Sequence, residues 1–385
     1  MNKNAASDFL STNQLLSVWR IVPYWTAVLI APLPLLGLYL GGLWVLAPLL
    51  ATWVFTALID KSVGLDLTNA DPNTDRSLIR AYQRVTLIWA PLQAASLFGT
   101  LALIPFASHL GTLELVGLAI GLGTMTGTIG INFSHELMHV GRRFEKGLAD
   151  LLLAMTLYSH FRSEHMLVHH RYVGTPRDPV TARKGETFYQ FFPRVLKQCY
   201  ASAFRAEALL LSRRNRKWWY VSNPFWRYWG LQLFALGLAY SLAGWVGLAV
   251  FVGQAYIAIS QLELVNYIEH YGLTRLYLGE RRYEHVQPHH SWNAAQRASN
   301  WLLINLQRHS DHHHKPDRPF PLLQTHPETT APQLPHGYPV MTLIALVPPL
   351  WKRTMDPRVR RWRGYHYPQI TDWDLYNRHA TPLPR

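Results

Sequence analysis

Nine of the 19 histidines in this sequence fall in four short motifs whose spacing suits metal binding. The motifs are HELMH (His135, His139), EHMLVHH (His165, His169, His170), NYIEH (His270) and HSDHH (His309, His312, His313). Side chains three or four positions apart share one face of a helix, so we expect His165 and His169 to act together and His170 to point elsewhere. Neutral imidazole binds iron, zinc, copper or nickel. Nine such ligands are too many for one structural zinc, so the motifs predict a two-metal redox site.

Two other classes of metal protein remain open from the motifs alone. HELMH also fits the H-E-x-x-H pattern of zinc proteases, in which Glu136 would be the general base. That interpretation uses two histidines and one further ligand, and it leaves two motifs unexplained. A metal transporter would need ionisable residues along a pathway inside the membrane. Glu114, near the end of a predicted span, and Glu263, near His270, indicate no such pathway.

An acidic residue lies beside a candidate ligand in every motif. These residues are Glu136, Glu164, Glu269 and Asp311. A metal-bound imidazole usually donates its second N–H to a carboxylate or carbonyl, which fixes the tautomer of the ring. We therefore expect some of these four carboxylates to accept a hydrogen bond from a ligand histidine. The pair His289 and His290 has no repeated ligand spacing and is left out of the predicted site.

The elements that position the motifs are predicted to cross a membrane. No Lys or Arg occurs in residues 21–60, 85–140 or 228–270. A helix of about 20 apolar residues crosses a hydrocarbon core of about 30 Å. We predict six spans, at Ile21–Leu40, Leu43–Ile59, Val85–Phe106, Leu113–Phe133, Arg227–Leu242 and Trp245–Val265. The predicted fold class is therefore all-α, a polytopic membrane protein with six transmembrane helices and a cytoplasmic, histidine-rich helical domain.

The basic residues assign a side of the membrane to each loop. Of the 37 Lys and Arg residues, six lie before residue 85, sixteen in residues 142–227 and fifteen from residue 275 onwards. By the positive-inside rule, the regions that carry them are cytoplasmic. The chain then divides into a cytoplasmic segment (1–20), four spans (21–140), a cytoplasmic histidine-rich region (141–226), two spans (227–270) and a second cytoplasmic histidine-rich region (271–385), which we expect to form one integrated domain.

Charge and cysteine content narrow the possible partners. The formal net charge of +14 favours anionic lipid headgroups or an acidic partner protein. Nucleic acid is the least suitable partner, because the basic residues lie in the loops between spans and form no recognisable nucleic-acid-binding motif. The single cysteine, Cys199, excludes iron–sulfur clusters, zinc ribbons and disulfides within the chain. No cleavable signal peptide is expected, because the first apolar stretch is too long for one.

The motifs HELMH, EHMLVHH, NYIEHYG and LQRHSDHHHKP, in this order around six spans, resemble those of the integral-membrane non-haem di-iron alkane monooxygenases. The resemblance covers nearly the whole chain, and related desaturases and fatty-acid hydroxylases lack the last two motifs. One departure is Val168, where the common family form has glycine. The resemblance implies that the nine histidines bind two iron ions. It also implies that the enzyme converts n-alkanes to primary alcohols with O2.

The resemblance further implies an external source of electrons. The reaction consumes two electrons, and the sequence has no haem motif, flavin fingerprint or cysteine cluster to deliver them. The donor in this family is rubredoxin, which rubredoxin reductase reduces with NADH. The implied location is the bacterial inner membrane, with the histidine-rich site facing the cytoplasm. The closest rival is a membrane desaturase or hydroxylase of fatty acids or lipids, which needs a pocket for a polar headgroup or carrier.

Two further sets of residues are candidates for contacts with substrate and partner. Bulky residues could close an alkane cavity and set the preferred chain length, and the candidates are Trp53, Phe55 and Leu40. Packing in the protein core explains these three equally well. The basic run Arg213, Arg214, Arg216 and Lys217 could dock the acidic electron carrier. Contact with anionic lipid headgroups explains that run equally well.

Overall fold

The computed structural model describes residues 18–280 and 282–373, so most of the predicted segment 1–20 lies outside the described residues. Long apolar helices dominate: α1 (Trp19–Leu40), α2 (Gly42–Val63), α3 (Arg76–Phe106), α4 (Thr112–His139) and a later helix at Pro224–His270. At about 1.5 Å per residue, each is long enough to cross a hydrocarbon core of about 30 Å. The prediction of an all-α, multi-pass membrane protein is confirmed.

The remaining elements follow in chain order around the histidine motifs. The helices are α5 (Arg143–Met155), α6 (Phe161–Glu164, His165–His169 and His170–Tyr172 in succession), α7 (Phe188–Ser212), α8 (Pro224–His270), α9 (Arg297–Leu302), α10 (His309–His314), α11 (Tyr338–Ala345) and α12 (Pro348–His366). Single 3₁₀ turns occupy Pro288–His290 and Phe320–Leu322. Strands β1 (Tyr277–Gly279) and β2 (Arg282–Tyr283) form one small antiparallel hairpin.

Helix α8 reverses direction at the connector that we predicted between the last two spans. As one straight helix, its 47 residues would extend about 70 Å, more than twice the hydrocarbon thickness. Ala243 and Gly244 depart from helical geometry, and Gly244 has a φ of +58°. The backbone folds back so tightly that a Cβ added to Gly247 would lie 2.6 Å from the carbonyl oxygen of Ala239. The halves of α8 match the fifth and sixth predicted spans, and the total of six spans stays a prediction.

Helices α3 and α4 extend beyond the predicted spans. Helix α3 begins at Arg76 instead of Val85, because the carboxylate of Asp75 caps it by accepting the backbone N–H of Ser77 at 2.6 Å. Helix α4 continues past the predicted end of its span to His139. It therefore carries the whole HELMH motif on a rigid extension of a membrane helix.

Glycines hold α4 close to its neighbours. A Cβ added to Gly121 would lie 2.3 Å from the carbonyl oxygen of Val45 in α2. One added to Gly123 would lie 2.5 Å from the carbonyl oxygen of Gln254 in α8. Small residues permit this close approach between membrane helices, whereas any larger side chain would force the backbones apart. The packing on both sides fixes the position of α4 along its axis, and with it the two histidines near its end.

Candidate metal centre

The nine motif histidines gather where four helices end or begin. Helix α4 supplies His135 and His139, α6 supplies His165, His169 and His170, α8 supplies His270, and α10 supplies His309, His312 and His313. Their ligand atoms form two groups, and within each group all of the atoms lie within 4.8 Å of one another. Every histidine that the motifs predicted belongs to one of these two groups.

The five-histidine cluster consists of His135, His139, His165, His170 and His312. The Nε2 atom of His170 lies 2.9 Å from that of His165, and 3.2 and 3.1 Å from those of His139 and His312. The ring of His135 lies 4.5 Å from the ring of His165, and its buried Nε2 atom has no hydrogen-bond partner among the described residues. The cluster thus presents several imidazole nitrogens to one small volume.

The four-histidine cluster consists of His169, His270, His309 and His313. The Nε2 atom of His309 lies 3.1 Å from that of His270 and 3.0 Å from that of His313. The Nε2 atom of His313 lies 3.2 Å from that of His169. All four side chains are buried. The two clusters adjoin, because the sequence neighbours His312 and His313 divide between them.

A wide turn in α6 decides which of its histidines act together. Residues His165–His169 form a π-helical turn, in which the backbone N–H of His170 bonds to the carbonyl oxygen of His165, five positions earlier. Residues five apart therefore share a face, and His165 pairs with His170 in the five-histidine cluster. The expected pairing of His165 with His169, with His170 pointing elsewhere, is wrong, because it assumed a regular α-helix.

Both clusters fit bound metal ions. Burial lowers the pKa well below its usual value in His165, His170, His309, His312 and His313. These imidazoles are neutral at physiological pH, and each keeps a lone pair for a metal. A neutral imidazole has one N–H to donate, so rings packed this closely do not satisfy one another. When two nitrogens each lie about 2.1 Å from one metal ion and the N–metal–N angle is 90°, the nitrogens are about 3 Å apart. The Nε2 atoms within each cluster have this spacing.

Asp178 supports the four-histidine cluster from outside. Its Oδ2 atom lies 3.0 Å from Nδ1 of His169 and accepts the hydroxyl of Thr181 at 2.7 Å. A carboxylate at Nδ1 keeps the ring proton there, so that Nε2 of His169 presents its lone pair to the cluster. The histidine motifs do not indicate Asp178, because it lies nine positions from His169 and outside the motif. The only signal in the sequence was an acidic residue in the loop that follows α6.

Replacing Asp178 with asparagine is expected to lower the metal affinity or the turnover about 10- to 100-fold, because the neutral amide holds the N–H of His169 less firmly. Iron content after dialysis against a chelator measures the effect. The matched control is Asp317→Asn, which removes an exposed carboxylate just after α10. If Asp178→Asn retains iron as well as the control does, Asp178 has no part in orienting His169.

Glu269 is the predicted acid that contacts a ligand histidine. Its Oε2 atom lies 3.3 Å from Nε2 of His309, and its Oε1 atom accepts the hydroxyl of Tyr338 at 2.7 Å. We expected an acid at the outward nitrogen of a ring, but the contact is to the nitrogen that faces the cluster. Glu269 therefore borders the metal position itself.

Glu136 points away from the metal centre and toward α3. Its Oε1 atom accepts the side-chain amide of Gln83 at 3.1 Å and the backbone N–H of Phe320 at 3.3 Å. Within residues 18–280 and 282–373, no hydrogen bond joins Glu136 to a motif histidine. A zinc protease of the H-E-x-x-H type needs this glutamate at the metal, so the geometry is against that interpretation.

Asp311 and Glu164 also fail to contact a ligand histidine in the described part of the chain. Asp311 stabilises the loop after α10, where it accepts hydrogen bonds from Arg318 at 2.5 Å and from the backbone of Gln324 at 2.9 Å. Both carboxylate oxygens of Glu164 are buried, and neither has a hydrogen-bond partner within residues 18–280 and 282–373. Adjacent residues on a helix point about 100° apart, so Glu164 and Asp311 turn away from the rings of their neighbours His165 and His312. The prediction that these carboxylates accept a hydrogen bond from a motif histidine is therefore wrong for Glu136, Glu164 and Asp311.

An apolar cavity opens directly beside the clusters. His135, His165 and His309 line it together with Glu269. Its other walls come from α2, α4, α8, α9 and α11, and include apolar side chains such as Ile131, Leu262, Val265, Leu302 and Leu303. A cavity with these apolar walls suits a hydrophobic ligand with one end at the metal positions.

Of the three predicted cavity residues, only Trp53 lines this space. Its indole N–H lies 3.4 Å from the hydroxyl of Thr128, which is also in the wall. Phe55 is 56% exposed and Leu40 is 45% exposed, so both side chains face outward. Phe55 is two positions from Trp53, and two positions along a helix turn a side chain by about 200°. The prediction that Phe55 and Leu40 close the cavity is therefore wrong, because both side chains lie on the outer surface.

A third group of possible ligands, Glu284, His289 and His290, forms a hydrogen-bonded cluster instead. The Nδ1 atom of His290 accepts the backbone N–H of Gln287 at 2.9 Å, so the proton of the neutral ring lies on Nε2. That Nε2 lies 3.1 Å from a carboxylate oxygen of Glu284 and 2.7 Å from the hydroxyl of Tyr367. With its proton engaged there, Nε2 of His290 has no lone pair for a metal.

The sequence is similar to those of known proteins. Residues 111–345 match the family described as fatty acid desaturase. Alkane 1-monooxygenase 2 of Pseudomonas aeruginosa is 37% identical over 82% of this chain and 84% of its own length. An alkane 1-monooxygenase of Ectopseudomonas oleovorans is 34% identical over 94% of this chain and 89% of its own length. One of Acinetobacter baylyi is 42% identical over 60% of this chain and 56% of its own. The protein described above thus belongs to the alkane 1-monooxygenase family.

Proposed function

We propose that this chain hydroxylates the terminal carbon of n-alkanes to give primary alcohols. One oxygen atom of O2 enters the terminal C–H bond, and the other leaves as water after the uptake of two electrons and two protons. The observation that carries this proposal is the position of two histidine clusters at the wall of an apolar cavity. His135 and His165 of one cluster and His309 of the other line that cavity together.

Two iron ions, one in each cluster, are the proposed cofactors. Bound there, iron would supply the activation of O2, because an unactivated alkane offers no charge or dipole to an acid–base group. The residues of the chain perform the other tasks. The nine imidazoles would hold the ions, Asp178 fixes the tautomer of His169, and the burial of seven of the nine imidazoles limits the access of bulk water.

The cavity is the proposed binding site of the alkane chain. Each buried methylene contributes about 0.8 kcal/mol of transfer free energy, so an apolar cavity selects a hydrocarbon without any polar contact. An alkane dissolves in the lipid bilayer, and we propose that it enters between the helices. The wall residues then direct its terminal carbon toward the histidine clusters.

We propose rubredoxin as the electron donor, with NADH reducing it through rubredoxin reductase. The only cysteine of this chain, Cys199, is buried, so the chain holds no iron–sulfur centre of its own. The proposed location is the bacterial inner membrane, with the metal centre on the cytoplasmic side, where the basic loops belong under the positive-inside rule.

The test is a reconstituted reaction. The iron-loaded protein is supplied with rubredoxin, its reductase, NADH, octane and ¹⁸O-labelled O2, and labelled 1-octanol is the expected product. A parallel reaction with an acyl lipid distinguishes the rival desaturase or hydroxylase, which would modify the lipid and leave octane unchanged. Elemental analysis separates the remaining classes, because zinc without iron would indicate a protease or transporter.

A further inference from the structure

We propose that the loop between α7 and α8 is a binding site for the headgroup of anionic phospholipids. This segment, residues 213–222, is named the basic–aromatic loop. It contains the four cations that we considered for docking of the electron carrier, namely Arg213, Arg214, Arg216 and Lys217. It also contains Trp218, Trp219, Tyr220 and Val221. The geometry of these two sets of residues favours lipid over an acidic protein.

Apolar side chains of the basic–aromatic loop lie outside the protein. Every residue from 212 to 222 is exposed, and the exposed fractions of Trp219 and Val221 are 52% and 82%. Helix α8, a membrane helix, begins at Pro224, directly after the loop. Tryptophan and tyrosine gather at this level of membrane proteins, because their rings combine an apolar body with a polar edge. The loop therefore lies at the boundary between lipid and water.

The cations are held at the same level as these rings. The guanidinium of Arg216 lies 4.5 Å from the centre of the Tyr220 ring, and the ammonium of Lys217 lies 4.9 Å from that of Trp219. Such cation–π contacts leave most N–H donors free to bind an anion. At the lipid–water boundary, the anions within reach are headgroup phosphates, which attract clustered Lys and Arg side chains.

Contacts with the neighbouring residues hold the loop in one conformation, so its cations have defined positions. The side chain of Asn223 donates to the carbonyl oxygen of Trp218 at 2.7 Å and accepts the backbone N–H of Phe225 at 3.1 Å. The ring of Trp218 stacks on that of Trp226, with 6.4 Å between ring centres, and contacts Phe204 of α7. These contacts connect both ends of the loop to the helices on either side.

Bound lipid would also restrict the motion of the metal centre, because α7 connects the loop to α6. The hydroxyl of Ser163, on α6, donates to the carboxylate of Glu207, on α7, at 2.6 Å. Ser163 lies two positions before the ligand His165, so α7 packs directly on a helix that carries metal ligands. A lipid at the end of α7 would hold that helix, and hence α6, in place.

The test measures lipid binding by native mass spectrometry, with phosphatidylglycerol and phosphatidylcholine of identical acyl chains as probes. The loop variant is R213Q/R214Q/R216Q/K217Q. The control, K352Q/R353Q/R358Q/R360Q, removes the same charge from α12. Each cation near a membrane surface contributes about fivefold to the binding of an anionic lipid. The loop variant is therefore expected to lose at least about tenfold in affinity for phosphatidylglycerol, while the control keeps the affinity of the unaltered protein.

A second variant, W219S/W226S, keeps all four cations and is also expected to bind phosphatidylglycerol more weakly. Equal losses in the loop variant and the α12 control would show a nonspecific charge effect and overturn the proposal. Unchanged lipid affinity together with a raised KM for rubredoxin in the loop variant would identify a docking surface for the acidic carrier, and would overturn it as well. Lipid affinity is measured without turnover, so its outcome is independent of the proposed alkane hydroxylation.

Discussion

Replacing His309 and His313 together with alanine is expected to halve the iron content, from about two ions per chain to about one. Both residues belong to the four-histidine cluster, so the variant H309A/H313A leaves two ligands there and all five in the other cluster. H165A/H170A is expected to remove the other ion in the same way, and the quadruple variant should retain none. Alcohol formation should fall more than about 100-fold in each, because losing a ligand costs more than losing its outer hydrogen-bond partner. Elemental analysis and product assays measure both effects.

The matched control is H289A/H290A, which removes two neighbouring histidines from the hydrogen-bonded cluster of Glu284 and Tyr367. It should retain about two iron ions, because the Nε2 atom of His290 carries a proton and binds no metal. Complete loss of iron from H309A/H313A would mean that the nine histidines form a single interdependent site. Loss of iron from H289A/H290A equal to that from H309A/H313A would show that the metal content reports damage to the fold and not ligation.

The membrane helices and the nine histidines of the two clusters could be predicted from the sequence because both are local patterns. An uncharged run such as residues 21–59 has few alternatives to a membrane span. A motif such as HELMH places two imidazoles on one helix face wherever that helix lies. Hydropathy alone could not show that α4 continues beyond Phe133 as a polar helix to His139.

The division of the nine histidines between the two clusters could not be predicted, because it depends on backbone geometry that no motif records. One π-helical turn in α6 exchanges the roles of His169 and His170. The contact of Asp178 with His169 depends on how the loop after α6 returns to the helix. Sequence adjacency was a poor guide to the outer carboxylates for the opposite reason, since Glu136 is next to a ligand and points toward α3.

Replacing Trp53 with serine is expected to shift the product profile toward longer alkanes. The indole lines the cavity, and its removal opens space next to Thr128, to which its N–H is directed at 3.4 Å. Each additional methylene that this space accommodates contributes about 0.8 kcal/mol, or about a fourfold change in preference. The ratio of turnover on a longer alkane to that on a shorter one should therefore rise about fourfold per added methylene. Gas chromatography of the alcohols formed from an alkane mixture measures this ratio.

The matched control for Trp53→Ser is Phe55→Ser, two positions along the same helix. It also replaces a large aromatic side chain with a small polar one, but Phe55 faces outward and is absent from the cavity wall. A cavity that sets chain length responds to the first change and not to the second, since only the first alters the space beside His135 and His165. An equal shift in both variants would place the selection at the lipid-facing surface, and an unchanged profile in Trp53→Ser would remove the indole from the control of chain length.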